Sequence, residues 1–261
     1  MTNYFQIKSY FNHWLDVVDE HSIHSPYFFD FYNQVIKSDD PDNQEFTTIE
    51  ALREKLLLDT TEIVMQDLGA KSAHFSSDKR SLSKIAASGL SPASYCRLYN
   101  RIIHYMDATQ ILELGTSLGI TTLYLSQKEN AMVTTFEGNP SLNNVALTHF
   151  EHFNRQNIQQ VEGNLDSVLA NFLVNPSKIH FVLMDANHRY EPTLRYFDLL
   201  SRRMADKGII VMDDIYHSEE MNQAWRKICN HQLVYGSVDL FRCGILFFDP
   251  ALNRQHFTWS L

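Results

Sequence analysis

The sequence between residues 110 and 213 alternates short apolar runs with longer helical patterns, and this alternation restricts the fold more than any other feature. Each apolar run is followed by a segment with helical periodicity. Strands that alternate with helices at this spacing form a parallel sheet covered by helices on both faces. The predicted strands are Gln110 to Leu114, Met132 to Glu137, Ile158 to Glu162, His180 to Asp185 and Gly208 to Asp213.

The end of the chain departs from this alternation. Gln232 to Val238 and Leu240 to Phe248 are strand-like runs with almost nothing between them, which predicts an antiparallel hairpin. We therefore expect an α/β, Rossmann-like fold with a mostly parallel seven-stranded sheet, helices on both faces and a C-terminal antiparallel hairpin. A nicotinamide-dependent dehydrogenase would instead have another helix between its last strands.

The first 90 residues form a separate, mainly helical region in this interpretation, and residues 91–261 form the core domain. Apolar residues recur every three or four positions from Tyr4 to Val18, as on one face of an amphipathic helix. We expect that face to dock on the core or on a partner subunit in a homodimer. The helix is not basic enough for a membrane surface. Region 1–90 is thus expected to cap the site, contact substrate or contact a second subunit.

Composition excludes several classes of protein. The formal net charge is −9 with no dense basic patch, which disfavours nucleic acid as a partner. Three cysteines without CxxC spacing argue against a disulfide framework and a zinc knuckle, and they favour a reducing cytoplasm. No apolar run approaches the roughly 18 residues of a membrane span. We expect a cytoplasmic protein that does not bind membranes.

A glycine-bearing turn follows the first core strand. Residues 111–119 read ILELGTSLG, with Glu113 in the strand and a helix beginning at Ile120. Gly115 allows a ligand to approach the backbone closely, and free amides at the helix start favour a negatively charged group. The spacing is ExGxxxG, whereas a dinucleotide loop reads GxGxxG. The carboxylate would oppose a pyrophosphate but would tolerate an amino-acid moiety and a sulfonium.

The second core strand ends in another acid, Glu137. An acid at this position is placed to accept hydrogen bonds from both hydroxyls of a ribose. Taken alone, Glu113 or Glu137 is equally well explained as a capping or solvated carboxylate. Because the two acids follow consecutive strands, they predict a nucleoside-containing ligand.

Five segments, taken in order, resemble the class I S-adenosylmethionine-dependent methyltransferases, particularly the branch of catechol and caffeoyl-CoA O-methyltransferases. They read ILELGTSLGITTLYLS, TTFEGNP, VEGNLDSVL, VLMDANHRYEPTLRYF and IIVMDDIYH. The resemblance covers about Ser91 to Phe248 and implies the methyltransferase version of the Rossmann-like fold. It further implies methylation of a small hydroxylated acceptor. The earlier segment HSIHSP resembles bacterial methyltransferase-like proteins and adds no chemistry.

The resemblance also implies a cofactor site for S-adenosylmethionine. Gly115 and Gly119 would border the methionine part, Glu137 would hold the ribose, and the turn 163–165 would lie beside the adenine, with an amide from Asn164. The full implied set is Glu113, Gly115, Thr116, Ser117, Gly119, Thr121, Glu137, Gly138, Gly163, Asn164, Leu165 and Asp185.

Metal-dependent members of the branch hold a divalent cation with an Asp after the fourth strand and an Asp-Asn pair after the fifth. Here the matching residues are Asp185, Asp213 and Asp214, a set that suits Mg²⁺ or another hard divalent cation. The departure is Asp214, where the branch usually has Asn, so the site would be more negative. In the alternative interpretation, Asp213 or Asp214 caps the following helix.

The same members use a Lys three residues after the first metal-binding Asp, and His188 stands there. A histidine titrates near neutrality and accepts a hydroxyl proton without a large pKa shift. His188, with Asp185 beside it, is therefore the candidate catalytic base, and His217 ranks second. A structural or capping role for His188 explains the sequence equally well.

Two other functions stay open at this point. One is a non-catalytic binding or scaffold protein that keeps its nucleoside affinity, and the other, which the loop spacing disfavours, is an NAD-dependent oxidoreductase. The sequence does not identify the acceptor or its reacting atom, because fold similarity carries no substrate choice. Oligomeric state is also open, although a homodimer through the aromatic N-terminal helices is the commonest outcome for such a surface.

Overall fold

The computed structural model describes residues 4–38, 43–65, 78–174 and 177–261. The chain divides into two compact units. The first unit comprises Met1–Ser38 and Phe172–Leu261, and the second comprises Asp39–Asn171. This division by contacts does not test the predicted domain boundary at residue 90, which stays a prediction.

The elements follow one another as the alternation predicted. The helices are α1 (Tyr4–Asp16), α2 (Pro26–Phe31), α3 (Gln44–Leu58), α4 (Leu82–Gly89), α5 (Ala93–Tyr105), α6 (Ile120–Leu125), α7 (Pro140–His152), α8 (Leu165–Phe172), α9 (Tyr190–Ser201) and α10 (Glu219–Cys229), with a 3-10 turn at Glu20–Ser22 and a π-helical turn at Tyr32–Ile36. The strands are β1 (Glu62–Met65), β2 (Asp78–Ser81), β3 (Gln110–Leu114), β4 (Met132–Glu137), β5 (Ile158–Glu162), β6 (Ile179–Met184), β7 (Met204–Asp213), β8 (Gly236–Asp239), β9 (Cys243–Phe247) and β10 (Gln255–Thr258).

The main sheet has eight strands and is mainly parallel, which confirms the predicted fold class. In the first unit the strand order is β10-β8-β9-β7-β6; β6 and β7 are parallel, and β9 is antiparallel to both β7 and β8. In the second unit β4 lies between β3 and β5, and all three are parallel. The predicted hairpin is β8 and β9. The eighth strand is β10, which pairs in parallel with β8 and was not expected from the sequence.

The inner strands are buried on both faces, as near-continuous apolar runs require. Ile111, Leu112 and Leu114 of β3 are buried, as are Ile209, Ile210 and most of their neighbours in β7. In contrast, β5 is partly exposed along its length. The predicted bounds of β3, β4 and β5 coincide with the observed strands, and a glycine follows each of them directly.

Helix α1 leaves most of its apolar side chains exposed among the described residues. The apolar residues on it are 57 to 79% exposed, whereas Ser9 and His13 are buried. The exposed set is Tyr4, Ile7, Tyr10, Phe11, Trp14 and Leu15. The imidazole Nε2 of His13 lies 3.3 Å from Asp239 Oδ1, so a polar contact helps to attach the helix to its unit. Tyr10 contacts Phe241 of the same unit, with ring centroids 5.1 Å apart, and a partner subunit as the cover of the remaining face stays a prediction.

The segment after α1 is buried through aromatic rings. Phe28 and Phe31 are fully buried, and their ring centroids lie 5.1 and 5.0 Å from that of Phe247. Edge-to-face pairs at this distance stabilise beyond the area they bury. In the second unit, α3 packs against α4 and α6 around Ile49, and the hydroxyl of Tyr124 donates to Glu50 Oε1 at 2.8 Å. Among the helices that the structure describes, none is long and apolar enough to cross a membrane.

Candidate functional site

The loop between β3 and α6 is a compact turn with three residues of positive φ. Gly115 has a φ of 103°, Ser117 of 49° and Gly119 of 78°. The N–H groups of Gly115 and Thr116 both donate to the carbonyl of Phe136, at 3.0 and 3.1 Å, and tie the loop to the end of β4. The loop is therefore held in shape by the backbone of the neighbouring strand.

Only glycine fits at position 119. A Cβ atom built there would lie 2.7 and 2.9 Å from two ring carbons of Phe150 and 3.1 Å from Cβ of Ala146. The positive φ adds strain for any residue with a side chain. The second glycine of the ExGxxxG pattern thus allows α6 and α7 to pack closely beneath the loop.

Glu113 lies buried below the same loop. Its Oε2 accepts hydrogen bonds from the hydroxyls of Thr122 at 2.5 Å and Thr135 at 2.6 Å. The Thr135 hydroxyl also lies 2.6 Å from that of Thr116. These contacts make Glu113 a residue that positions the loop, and a direct contact with a cofactor stays a prediction. The sequence analysis missed both partner threonines, whose signal was a hydroxyl inside otherwise apolar runs.

Glu137 joins the ends of β3 and β4. Its Oε2 accepts the N–H of Ser117 and its Oε1 accepts the N–H of Asn139, each at 2.9 Å. Burial raises the pKa of Glu137, and backbone N–H donors oppose that shift only in part. A carboxylate has about four lone-pair positions. These two N–H groups, with that of Gly138 as a third that lowers the pKa, leave capacity for a further donor such as a hydroxyl.

The turn after β5 meets the same end of the sheet. The N–H of Gly163 donates to the carbonyl of Glu137 at 3.0 Å, and the φ of Gly163 is 140°. Asn164 begins α8, since its Oδ1 accepts the N–H of Asp166 at 2.9 Å. Leu165 is the first residue of that helix. The predicted loop, ribose and adenine residues of the second unit thus lie along one connected edge.

Thr121 is the exception within this set. It lies in α6, is mostly buried, and its hydroxyl is 3.8 Å from Cys96 Sγ. That contact directs the side chain towards α5, beside which α6 packs. Its assignment as a cofactor residue stays a prediction. Gly138, in contrast, follows Glu137 directly.

The first unit holds the predicted base. His188 Nε2 lies 3.4 Å from Asp185 Oδ1, in a loop where Asn187 and His188 both have positive φ, 68° and 35°. Burial lowers the pKa of His188, but the hydrogen bond and charge of Asp185, together with two further carboxylates, outweigh it and raise the pKa above its usual value. Within the part of the chain that is described, His188 Nδ1 is buried without a hydrogen-bond partner.

Asp213 and Asp214 are paired with a residue that the sequence analysis missed. Arg242 Nη2 lies 3.0 Å from Asp213 Oδ2, and Arg242 Nη1 lies 3.8 Å from Asp214 Oδ1. Burial and the charge of Asp185 raise the pKa of Asp213, and the Arg242 guanidinium acts in the opposite direction. The sequence separation of 29 residues hid the first contact.

The alternative role of these two acids as helix caps is not what the structure shows. The cap of α10 is Ser218, whose hydroxyl accepts the N–H of Met221 at 3.1 Å. Asp214 instead has a φ of 54° and lies 3.9 Å from Nδ1 of His217. The left-handed region is one that Asp and Asn adopt more readily than other residues.

A pocket of about 450 Å³ opens beside this cluster in the first unit. It is lined by Gln6, Ile7, Tyr10, Asp214, Tyr216, His217, Phe241 and Arg242. The rings of Tyr216 and Phe241 stack at 4.9 Å, and Tyr10 meets Phe241 edge-on at 5.1 Å. Phe241 has a φ of 65°, an unusual value for an aromatic residue. The pocket thus combines aromatic walls with charged groups, and apart from Asp214 and His217 its lining was not predicted.

Comparison with known proteins identifies a methyltransferase domain and structures of the same fold. Residues 112–215 match the family model of a methyltransferase domain. Solved structures with the same fold include a protein from Klebsiella pneumoniae described as an O-methyltransferase, with a TM-score of 0.57 and 14% identity over 86% of this chain and 96% of that chain. No curated protein sequence matches the chain.

Two further solved structures are similar. A protein from Staphylococcus aureus described as a caffeoyl-CoA O-methyltransferase has a TM-score of 0.56 and 17% identity over 85% of this chain and 97% of that chain. An O-methyltransferase from Bacillus cereus, in complex with S-adenosylhomocysteine, has a TM-score of 0.56 and 15% identity over 84% of this chain and 96% of that chain.

Residues 112–215 thus match a methyltransferase domain, and the chain has the fold of solved structures described as O-methyltransferases. The likeness in fold extends to the structure described as a caffeoyl-CoA O-methyltransferase. The resemblance seen in the five sequence segments is confirmed for the methyltransferase domain and for the fold.

Proposed function

We propose that the protein transfers the methyl group of S-adenosylmethionine to an oxygen atom of a small hydroxylated acceptor. The observation that carries the proposal is the position of Glu137, whose carboxylate links the β3 and β4 loops and keeps acceptor capacity. A ribose hydroxyl donating to it would fix the nucleoside. Structures of this fold that contain S-adenosylhomocysteine, such as that from Bacillus cereus, support the cofactor.

In this proposal the rest of the cofactor follows the edge of the second unit. The turn 115–119 borders the methionine part, Gly138 adjoins the ribose, and Asn164 offers its side-chain amide to the adenine. Glu113 acts through the loop that it supports. Asp185 belongs to the proposed cofactor and catalytic sets as the partner of His188.

The proposed reaction is an in-line displacement. The acceptor oxygen attacks the methyl carbon, the bond between that carbon and the sulfur breaks, and S-adenosylhomocysteine leaves as a neutral thioether. The acceptor proton passes to His188. The ring of His188 lies 5.6 Å from that of His217, which lines the pocket. Most of the rate enhancement comes from alignment of donor and acceptor.

The pocket of the first unit is the proposed acceptor site. Its stacked rings of Tyr216 and Phe241 suit the face of a planar or apolar acceptor, and His217 and Arg242 supply polar contacts at its wall. The volume of about 450 Å³ fits a small molecule. With a net charge of −9, the protein remains a poor partner for nucleic acid.

A divalent cation does not fit the residues that the resemblance would assign to it. Asp213, the central ligand of that set, is fully buried and paired with Arg242. No group of three or more His, Cys, Asp or Glu side chains in the described ranges is arranged to hold an ion. The proposed reaction therefore includes no metal step.

The exposed face of α1 is proposed as the contact with a second copy of the chain. An aromatic side chain buries about 150–250 Å², so the six exposed residues of α1 offer on the order of 700 Å² of mostly apolar surface at their observed exposures. A specific interface needs about 800 Å² from each partner. The face thus provides most of a homodimer interface, and residues 1–90 would combine this role with that of a cap on the domain 91–261.

The test is methyl transfer from S-adenosylmethionine to a panel of phenols, alcohols, amines and thiols, followed as release of S-adenosylhomocysteine. The proposal predicts turnover with hydroxylated compounds and a large loss of kcat in His188→Gln. The rate of the wild type should rise with pH through the raised pKa of His188, because the neutral imidazole is the base. Cofactor binding without turnover on any acceptor would instead support the non-catalytic alternative.

A further inference from the structure

We propose that Arg242 takes over the charge compensation that a divalent cation provides in metal-dependent O-methyltransferases, so that this protein's acceptor site excludes the metal. Exclusion of the cation can be tested without methyl transfer. The consequence for the acceptor rests on the proposed function.

The negative charges of the site lie at the ends of two paired strands. Residues 184 and 212 are register partners in β6 and β7, which places Asp185 and Asp213 side by side. Asp214 follows at once. Three carboxylates in this position repel one another unless cations lie close to them. In metal-dependent enzymes of this branch a divalent ion supplies that charge.

Here Arg242 supplies it for two of the three carboxylates. Its Nη2 lies 3.0 Å from Asp213 Oδ2, and its Nη1 lies 3.8 Å from Asp214 Oδ1. Asp185 instead contacts His188, the base of the proposed reaction, at 3.4 Å. Asp213 is fully buried, and a buried carboxylate requires a partner of this kind. A metal ion at Asp213 would have to displace the guanidinium or lie beside its positive charge.

The position of Arg242 is set by the backbone. In the antiparallel pair of β7 and β9, Asp213 stands opposite Cys243, so Arg242 precedes the register partner of the carboxylate that it binds. The N–H of Arg242 donates to the carbonyl of Leu240 at 2.8 Å, and its own carbonyl accepts the N–H of Ile215 at 3.2 Å. The backbone of Arg242 is thus fixed by the hairpin at the register position from which its guanidinium reaches Asp213.

Contact with Arg242 also explains Asp214, which stands where the metal-dependent branch usually has Asn. The second carboxylate gives the site one negative charge more than the Asp-Asn pair of the metal-dependent branch. It faces the second terminal nitrogen of Arg242, so one guanidinium contacts both carboxylates. An arginine presents several donors in a fixed plane and holds its charge at any physiological pH. The unusual Asp214 therefore accompanies the arginine as part of one arrangement.

The presence of Arg242 in place of a cation also affects which acceptor the site favours. Arg242 lines the same pocket as Tyr216 and Phe241, so its charge faces the space proposed for the acceptor. A guanidinium attracts an oxygen that carries or develops negative charge. The site therefore favours acidic hydroxyl compounds, such as phenols, and it does not need the two adjacent oxygens with which a chelating acceptor would bind a metal.

The test uses Mn²⁺ as the probe and the full-length chain, with free Mn²⁺ measured by electron paramagnetic resonance during titration. The proposal predicts no stoichiometric site in the wild type and no change in melting temperature on adding Mn²⁺ or Mg²⁺. Arg242→Ala should gain a site that is at least about tenfold tighter than any wild-type binding. Adding Asp213→Asn to that variant should remove the site again.

A matched control is Arg202→Ala, which frees the carboxylate of Asp198 at an exposed ion pair and should gain nothing. Arg242→Lys keeps the positive charge and should also gain no site, and this variant covers the case in which Arg242→Ala fails to fold. Stoichiometric Mn²⁺ binding by the wild type that Asp213→Asn abolishes would overturn the proposal. So would a folded Arg242→Ala variant that binds no better than the wild type. Titration with S-adenosylhomocysteine reports on the proposed function separately.

Discussion

Substituting Gly119 by Ala should destabilise the second unit strongly, because both the backbone φ and the contact with Phe150 disfavour the added Cβ. The left-handed φ of 78° costs roughly 1–2 kcal/mol for a residue with a Cβ. The contacts of 2.7 and 2.9 Å with the Phe150 ring amount to overpacking, which costs about 1–3 kcal/mol. The sum, about 2–5 kcal/mol, corresponds to a fall in melting temperature on the order of 10 °C.

The assay is thermal and urea unfolding followed by fluorescence, with Gly89→Ala as the matched control. Gly89 is exposed at the end of α4, and a Cβ there would meet only the Ser117 hydroxyl at an ordinary 3.9 Å. Ala should therefore be neutral or stabilise by up to about 1 kcal/mol at that position.

A double-mutant cycle separates the two costs. Phe150→Leu removes the ring atoms that the new Cβ would meet, so Gly119→Ala should cost about 1–3 kcal/mol less in that background. The destabilisation that comes from the left-handed φ at position 119 should remain in the Phe150→Leu background. A Gly119→Ala variant that unfolds together with the wild type would refute the reasoning about this loop.

Three further predictions concern other parts of the molecule. Glu113→Gln should lower the free energy of unfolding by about 1.5–3 kcal/mol, since it weakens a charge-assisted hydrogen bond from the buried Thr122 hydroxyl, and a urea midpoint unchanged from the wild type would contradict this. Burial lowers the pKa of His149, and its bond to the Leu118 carbonyl opposes this only in part. The stability that this neutral histidine contributes is thus present above its unfolded pKa of about 6.5 and is lost as pH falls through the lower folded value, so His149→Gln should flatten the decline of the urea midpoint below about pH 6.5. Trp14→Glu should convert a dimer into a monomer with its fold intact, measured by light scattering; a wild type that is already monomeric would dismiss the α1 contact.

The sequence predicted the strands correctly where a strand and the turn that follows it determine the local structure. The strands β3, β4 and β5 were predicted from short runs that each end at a glycine, and Glu137 was predicted from its place at the end of β4. In contrast, β10 has the short sequence QHFT, and only its pairing with β8 makes it a strand. No pattern within four residues carries that information.

The site was less predictable because its key contacts join distant segments. The approach of Arg242 to Asp213 depends on the register of the β7 and β9 pair, which the sequence does not specify by spacing. The apolar stripe of α1 was recognised, but its periodicity does not tell an inward face from an outward one. The polar His13 is buried on the opposite side, where it meets Asp239.

In the proposed function the edge around Glu137 binds the nucleoside of S-adenosylmethionine. The most direct measurement is calorimetric titration with S-adenosylhomocysteine of the wild type, of Glu137→Ala and of Glu151→Ala, an exposed acid of α7 that serves as control. The account predicts one site per chain, equal affinity in the control, and roughly tenfold weaker binding in Glu137→Ala, from a charge-assisted hydrogen bond of about 1.5 kcal/mol. No binding by the folded wild type, or equal affinity in Glu137→Ala, would contradict it.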